Sequence, residues 1–253
     1  SATLPALTAF TGTLGEDLFT FQTLEAHSAI NDGTGTFEFK TESGSSSIIL
    51  TEGAQNTKTF IVGETSDNQV YVIPDANLDK NTLKVEVFDT TTSSTFNAYN
   101  DIETVVRIDT NSRVFIIRET PNGFFEIIFG EDGVLGKAPT AGNKIVITYL
   151  ASTGADANSI SAFTANSQIT IGGTNYTPTI TTTVNSAGGG EKESIESIKL
   201  NAPITFASQQ RLVTAEDYKA IVSQRFTTIL DDVAAWGGED NIPATFGDVY
   251  LSL

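Results

Sequence analysis

Over roughly the first 150 residues, apolar side chains recur in short runs broken by polar turns, a rhythm of strands. Leu83, Val85 and Val87 alternate with Lys84 and Glu86, the period-two pattern of a half-buried strand. Residues 114–117, 124–129 and 145–149 are denser in β-branched and aromatic side chains, as central or two-sided strands require. Thr120, Pro121, Asn122 and Gly123 form a turn signal between the first two, and a glycine-rich stretch, 130–143, joins the second to the third. These three strands are therefore expected to pair as neighbours in a β-meander.

The pattern thins from 151 to 190, where Ser, Thr, Asn, Ala and Gly dominate and Gly172-Gly173 marks a hairpin. Gly188, Gly189 and Gly190 are expected to free the backbone there, ahead of a helix opening at Glu191 with Glu191 and Glu193 at its positive end. Ile195, Ile198 and Ala202 then fall at helical spacing, and Pro203 is expected to end that helix because the residue before proline is pushed toward extended backbone. Thr214 and Asp217 have the spacing of a capping box for a second helix, with Val213 and Tyr218 placed as a hydrophobic staple. Tyr218, Ile221 and Val222 supply its apolar face. About eleven residues, including an extended segment, would join the two helices. A strand begins near Val249 with nothing after it to pair.

The predicted fold is mainly β with a C-terminal α+β part. An antiparallel meander or sandwich-like domain (1–150) is followed by a small β-hairpin insertion or connector (151–190) and an α+β domain with two short helices, truncated at the C-terminus (191–253). The absence of any methionine and the strand at the end make the chain read as a piece of a longer one.

Composition narrows the functional classes. At 253 residues the chain can bury a sizeable core. Its net charge of -17, from 31 acidic against 14 basic residues, repels phosphate backbones and anionic lipid, so no nucleic acid and no membrane are expected among its partners. Protein partners with basic faces fit better. No run approaches the roughly 18 apolar residues of a bilayer span, and the start at Ser1 lacks the basic and apolar segments of a signal peptide. Without cysteine there is no thiol nucleophile, thiolate-bound metal or disulfide.

Candidate chemistry is sparse. Asp75, Asn77, Asp79 and Asn81 alternate, and Glu86 follows at the twelfth position of a loop counted from Asp75, which suggests oxygen ligands for calcium. Lys80 stands where such a loop needs glycine, and Glu86 sits in a strand pattern, so the residues read as polar punctuation between strands. His27 is the only imidazole and has no acidic partner motif around it. The segment from Gly44 to Ile48 lacks the closing glycine of a nucleophile elbow. Carboxylate pairs carry no signal in so acidic a chain. The stretch 130–143 lacks the Gly-Lys-Ser/Thr ending of a phosphate cradle. Trp236, in a glycine-flanked loop, reads as a lid on the apolar core rather than a carbohydrate platform, and Gly237 to Asn241 as a turn into Pro243. No catalytic residue, cofactor, metal or small-molecule substrate is expected.

The string ESIESIKLNAPITFASQQRLVTAEDYKAIV, residues 193–222, resembles the signature of the baseplate J-like wedge family, gene product six type, of contractile-tailed myoviruses. The glycine-rich stretch 129–143 is similar to that family's hairpin, with Glu131 and Asp132 in place of a single acidic residue. Trp236 to Asn241 and the upstream strands, including residues 72–77, agree, so the likeness covers roughly residues 15 to 253. The resemblance implies a non-enzymatic structural component of a virion tail baseplate, assembled in the host cytoplasm. It implies self-association into a dimer or ring, contacts with other wedge and hub proteins, and relay of baseplate rearrangement to the contracting sheath. The Thr- and Gly-rich acidic β composition alternatively suits a secreted adhesin or glycan-active enzyme.

Overall fold

The computed structural model describes residues 2–29, 31, 33–39, 47–64, 69–131, 134–208, 214–225 and 233–252. Gly44, Asp132 and Val213, each named in an expectation above, lie outside them. In chain order the first strands are β1 (Ala2–Leu4), β2 (Ala9–Leu14), β3 (Asp17–Gln22), β4 (His27–Ala29) and β5 (Thr51–Glu52). The longer strands follow: β6 (Ala54–Ile61), β7 (Val70–Ile73), β8 (Leu78–Phe88), β9 (Phe96–Asp101), β10 (Val114–Glu119), β11 (Phe125–Phe129) and β12 (Lys144–Ala151). Three short ones, β13 (Ala162–Ala165), β14 (Ile169–Ile171) and β15 (Thr174–Tyr176), precede the helices α1 (Ile195–Ser208) and α2 (Ala215–Arg225). The last strands are β16 (Ala234–Gly237) and β17 (Val249–Ser252). The chain is thus mainly β with a small C-terminal helical part, as its patterning predicts.

Two compact units form, Ser1–Thr153 with Ser159–Asn185, and Gly154–Asn158 with Ser186–Leu253. In the first unit, β6 to β12 make one seven-stranded sheet in the order β6-β12-β8-β9-β10-β11-β7. β10 and β11 pair antiparallel, from Phe115 opposite Phe129 to Glu119 opposite Phe125, as expected from the turn between them. The third dense strand departs from the meander: β12 lies between β6 and β8, and β11 pairs with β7 instead. The long stretch 130–143 permits that crossing, and the central position pairs the main chain of β12 on both flanks while Ile145, Ile147 and Tyr149 are buried on one face. The glycines have a local reason too. A Cβ on Gly130 would fall 2.5 Å from the Leu135 carbonyl oxygen, where Glu131 N–H closes the loop onto that same oxygen at 3.0 Å.

β8 and β12 change register between Thr148 and Leu150, a bulge that Thr82 fills. The Thr82 hydroxyl accepts from Leu150 N–H at 2.9 Å and donates to the Asp79 carbonyl at 2.8 Å, satisfying polar groups that burial would otherwise strand. Four rings cross the interior in sequence. Phe60 meets Tyr71 with centroids 5.4 Å apart, Tyr71 meets Phe129 at 5.6 Å, and Phe129 meets Tyr99 at 5.1 Å. Because Phe60 lies on β6 and Tyr71 on β7, the two outer strands, the sheet curls until its edges share one core. The backbone link between β9 and β10 is by contrast slight, two parallel residue pairs.

A second sheet, β13-β2-β3-β5, packs around a glycine. A Cβ on Gly12 would stand 2.8 Å from the Phe21 ring, so the bare backbone lets Phe21 and Phe163 meet edge-on at 5.0 Å above it. The Glu52 carboxylate accepts from the Ser152 hydroxyl at 2.7 Å and from Thr153 N–H at 3.1 Å, anchoring the exit of β12.

In the second unit the glycine run behaves differently from expectation. Gly189 is pinned: its N–H donates to Asn158 Oδ1 at 3.0 Å while Asn158 Nδ2 donates to its carbonyl at 2.8 Å. The Ser186 hydroxyl adds a bond to the Ala157 carbonyl at 2.6 Å. The glycine is needed for close approach rather than freedom, since a Cβ there would lie 2.2 Å from the Gly154 carbonyl oxygen.

Candidate interaction surface

The two helices of the second unit follow from their ends. α1 opens at Ile195, four residues later than Glu191, because Ser194 caps it: its hydroxyl accepts from Ser197 N–H at 3.2 Å and its carbonyl from Ile198 N–H at 2.9 Å. Glu193 contributes from ahead of the helix by accepting the Ser197 hydroxyl at 2.6 Å. α1 also continues through Pro203 to Ser208, against the expected stop and extended crossing. Proline's fixed φ is itself helical, so its cost is one lost N–H bond and a clash with the preceding turn, about 3 kcal/mol, which bends or weakens a helix without forbidding it. Pro203 is exposed, where water can serve the carbonyl it leaves unpaired.

α2 begins as its sequence predicts. The Thr214 hydroxyl accepts from Asp217 N–H at 3.3 Å, and the Asp217 carboxylate accepts from Thr214 N–H at 2.8 Å, the reciprocal capping box. α2 packs against β16 and β17, with Tyr218, Ile221 and Val222 half-buried.

What α1 does with its apolar stripe is the informative point. Ile195, Ile198, Ala202 and Phe206 fall at i, i+3, i+7 and i+11, one face of a helix, yet that face is open to solvent. Ile195 is 67% exposed, Ile198 46% and Phe206 82%. The sequence marks the stripe but not its covering, since the same spacing serves a core and an interface alike.

The C-terminal hairpin offers a second apolar surface. Trp236 lies in β16 rather than in a loop, directly opposite Tyr250 of β17, and the two rings stack with centroids 6.0 Å apart. Its indole N–H donates to Asn241 Oδ1 at 3.0 Å, so it is half-buried by its own hairpin. β17 pairs back onto β16, which corrects the expectation of an unpaired terminal strand. The segment 237–241 does turn toward Pro243, through a short 3-10 helix at Gly238–Asp240, and the Ile242–Pro243 bond is cis.

The candidate ligand residues are placed elsewhere and engaged locally. The Asp75 carboxylate accepts the Tyr149 hydroxyl at 2.8 Å, Asn56 Nδ2 at 3.0 Å and Asn77 N–H at 3.0 Å. Asp79 Oδ1 accepts Asn81 N–H at 2.9 Å inside the start of β8. Among the described residues no three His, Asp or Glu side chains gather as metal ligands. His27 sits in β4 opposite Leu4, its Nδ1 buried without a hydrogen-bond partner. No helix among the described residues is long and apolar enough to cross a membrane.

Two matches to known proteins bear on these surfaces. Residues 214–253, which hold α2 and the Trp236 hairpin, match the family described as baseplate structural protein gp6, C-terminal domain I. The family so matched is one of structural proteins of a phage baseplate. The chain is also similar to a particular wedge protein: it is 33% identical over 180 residues to the baseplate wedge protein gp6 of Enterobacteria phage T4, a match covering 64% of this chain and 26% of that protein. The chain thus spans about a quarter of the length of the curated relative it matches.

Proposed function

We propose that this chain is a non-enzymatic structural part of a contractile-tail baseplate wedge. It self-associates and binds other wedge proteins so that copies close a ring around the hub, and it passes baseplate rearrangement on to the sheath. The α1 face carries this reading. A helix with four apolar residues in one stripe, all exposed, loses stabilisation in water that burial against another chain recovers. Lys192, Glu193, Glu196 and Lys199 place both signs of charge around the stripe, which suits a second copy as well as an unlike chain. Ring closure needs repeated interfaces of fixed rotation, each burying about 2,000 Å² or more when obligate. The protein would reside in the tail baseplate of the virion and assemble in the host cytoplasm, with no nucleic acid, membrane or small-molecule substrate.

Sedimentation velocity tests the α1 interface. The wild-type chain is expected to associate at micromolar concentration, and Ile198→Asp to sediment as a monomer with an unchanged circular dichroism spectrum. A monomeric wild type, or association that survives Ile198→Asp, refutes this placement of the interface.

A further inference from the structure

The loop 238–248 between β16 and β17 holds two large apolar side chains out in water. Ile242 is fully exposed and Phe246 is 84% exposed. Flexible loops do this at little cost, but this one is built. Gly238 N–H donates to the Asp248 carbonyl at 2.8 Å, Thr245 N–H donates back to the Gly238 carbonyl at 2.8 Å, and Asn241 N–H reaches that same carbonyl at 3.2 Å. The Thr245 and Tyr250 hydroxyls meet at 3.0 Å, and the Trp236 indole holds Asn241. Gly238 is buried where a Cβ would come within 2.0 Å of the Thr245 carbonyl oxygen, and the Glu239 carboxylate folds over Gly237 at 2.3 Å from where its Cβ would be. Two glycines, two aromatic rings and a set of main-chain bonds therefore fix a loop whose tip they do not cover. Such preorganisation removes the ordering cost of binding beforehand.

The charges around the tip say what it fits. Glu239, Asp240 and Asp248 are exposed, and the loop has no Lys or Arg. A second copy is a poor occupant, because a chain of net charge -17 presents mostly like charge to this rim. We infer that the loop is a docking knob that inserts Ile242 and Phe246 into an apolar pocket rimmed by Lys or Arg on a different protein of the particle. This rests on the baseplate reading for where the partner is met, while the chemistry rests on the loop alone. It is separate from the α1 face, which lies on another element and carries mixed charge.

The test is photocrosslinking in the intact particle, with benzoylphenylalanine installed at Phe246 of the phage-encoded chain. A crosslink to a different protein, at a peptide carrying Lys or Arg beside apolar residues, is expected. Reversing the rim with Glu239→Lys and Asp240→Lys should lower the crosslink yield about tenfold while thermal unfolding of the purified chain stays put. A crosslink to another copy of this chain, to a later segment of the same polypeptide or to an acidic surface overturns the inference, as does a yield indifferent to rim reversal. Particles that contain the chain but give no crosslink overturn the knob alone. Particles that lack the chain sink the baseplate reading and the knob with it.

Discussion

Tyr149→Phe separates the polar anchor of the large sheet from its packing. The ring is buried beside Ile145 and Ile147 and stays in the variant; only the hydroxyl is lost. That hydroxyl donates to Asp75 Oδ2 at 2.8 Å, a bond to a charged acceptor, worth about 1.5–3 kcal/mol where water is excluded. Asp75 is only half-buried, so water replaces part of the loss and about 1 kcal/mol is the expected cost. At this chain length that lowers the melting temperature by about 2–4 °C. The pH dependence discriminates further. Burial alone would raise the Asp75 carboxyl, but bonds from Tyr149, Asn77 N–H and Asn56, with the Lys58 charge, outweigh it and hold the group below its ordinary value. A carboxyl depressed in the folded state stabilises the fold above its unfolded pKa of about 4, and that stabilisation is lost as pH falls through the folded value. Tyr149→Phe removes one of the depressing bonds, so the gap between wild type and variant should be full at pH 7 and shrink on acidification below about pH 4. Urea denaturation at pH 7, 5 and 3, with unchanged slope, measures this. A gap that is absent at pH 7, or constant down to pH 3, would show that the hydroxyl does not support the carboxylate.

Four further outcomes follow from the packing and caps. Thr214→Ala removes one half of the capping box and should cost about 1 kcal/mol, with faster amide exchange at Asp217; unchanged exchange would mean that the box does not hold α2. Gly12→Val forces a side chain into the Phe21 ring and should cost about 1–3 kcal/mol in chemical denaturation, whereas a neutral result would show that the two rings can part freely. Ile147→Ala, at a fully buried site in the central strand, should cost about 2–5 kcal/mol, read as a fall in the urea midpoint. Chelator treatment should leave the melting temperature where it is, since Asp75 and Asp79 already serve protein donors; a large drop would reinstate the ion.

The alternation in β8 and the density of β10, β11 and β12 were legible because period-two burial leaves a direct trace in sequence. So was the Thr214–Asp217 box, whose chemistry is confined to four residues. Partner choice was not: nothing local tells β12 to leave β11 for β6 and β8, because that depends on a crossing of fourteen residues and on where the core has room. Pro203 misled for the opposite reason. Its local preference is strong, yet a helix already nucleated by the Ser194 cap can carry one missing bond. The α1 stripe was visible as a face, while its exposure depends on which surfaces the rest of the unit leaves unmet. Trp236 was misplaced into a loop because its flanking glycines look like turn chemistry, when one of them instead makes space for Thr245.

The slight junction between β9 and β10 has a mechanical side. Every other neighbour pair in the seven-stranded sheet is an antiparallel ladder of at least four residues, whereas here two parallel residue pairs join one half of the sheet to the other. Tyr99 and Phe129, one from each half, lean together across that junction. Under a pulling force the sheet has a natural parting line, and the material that resists opening there is ring against ring more than main chain against main chain. Ring contacts are less directional than main-chain hydrogen bonds, so this line is where the sheet is expected to open first under load.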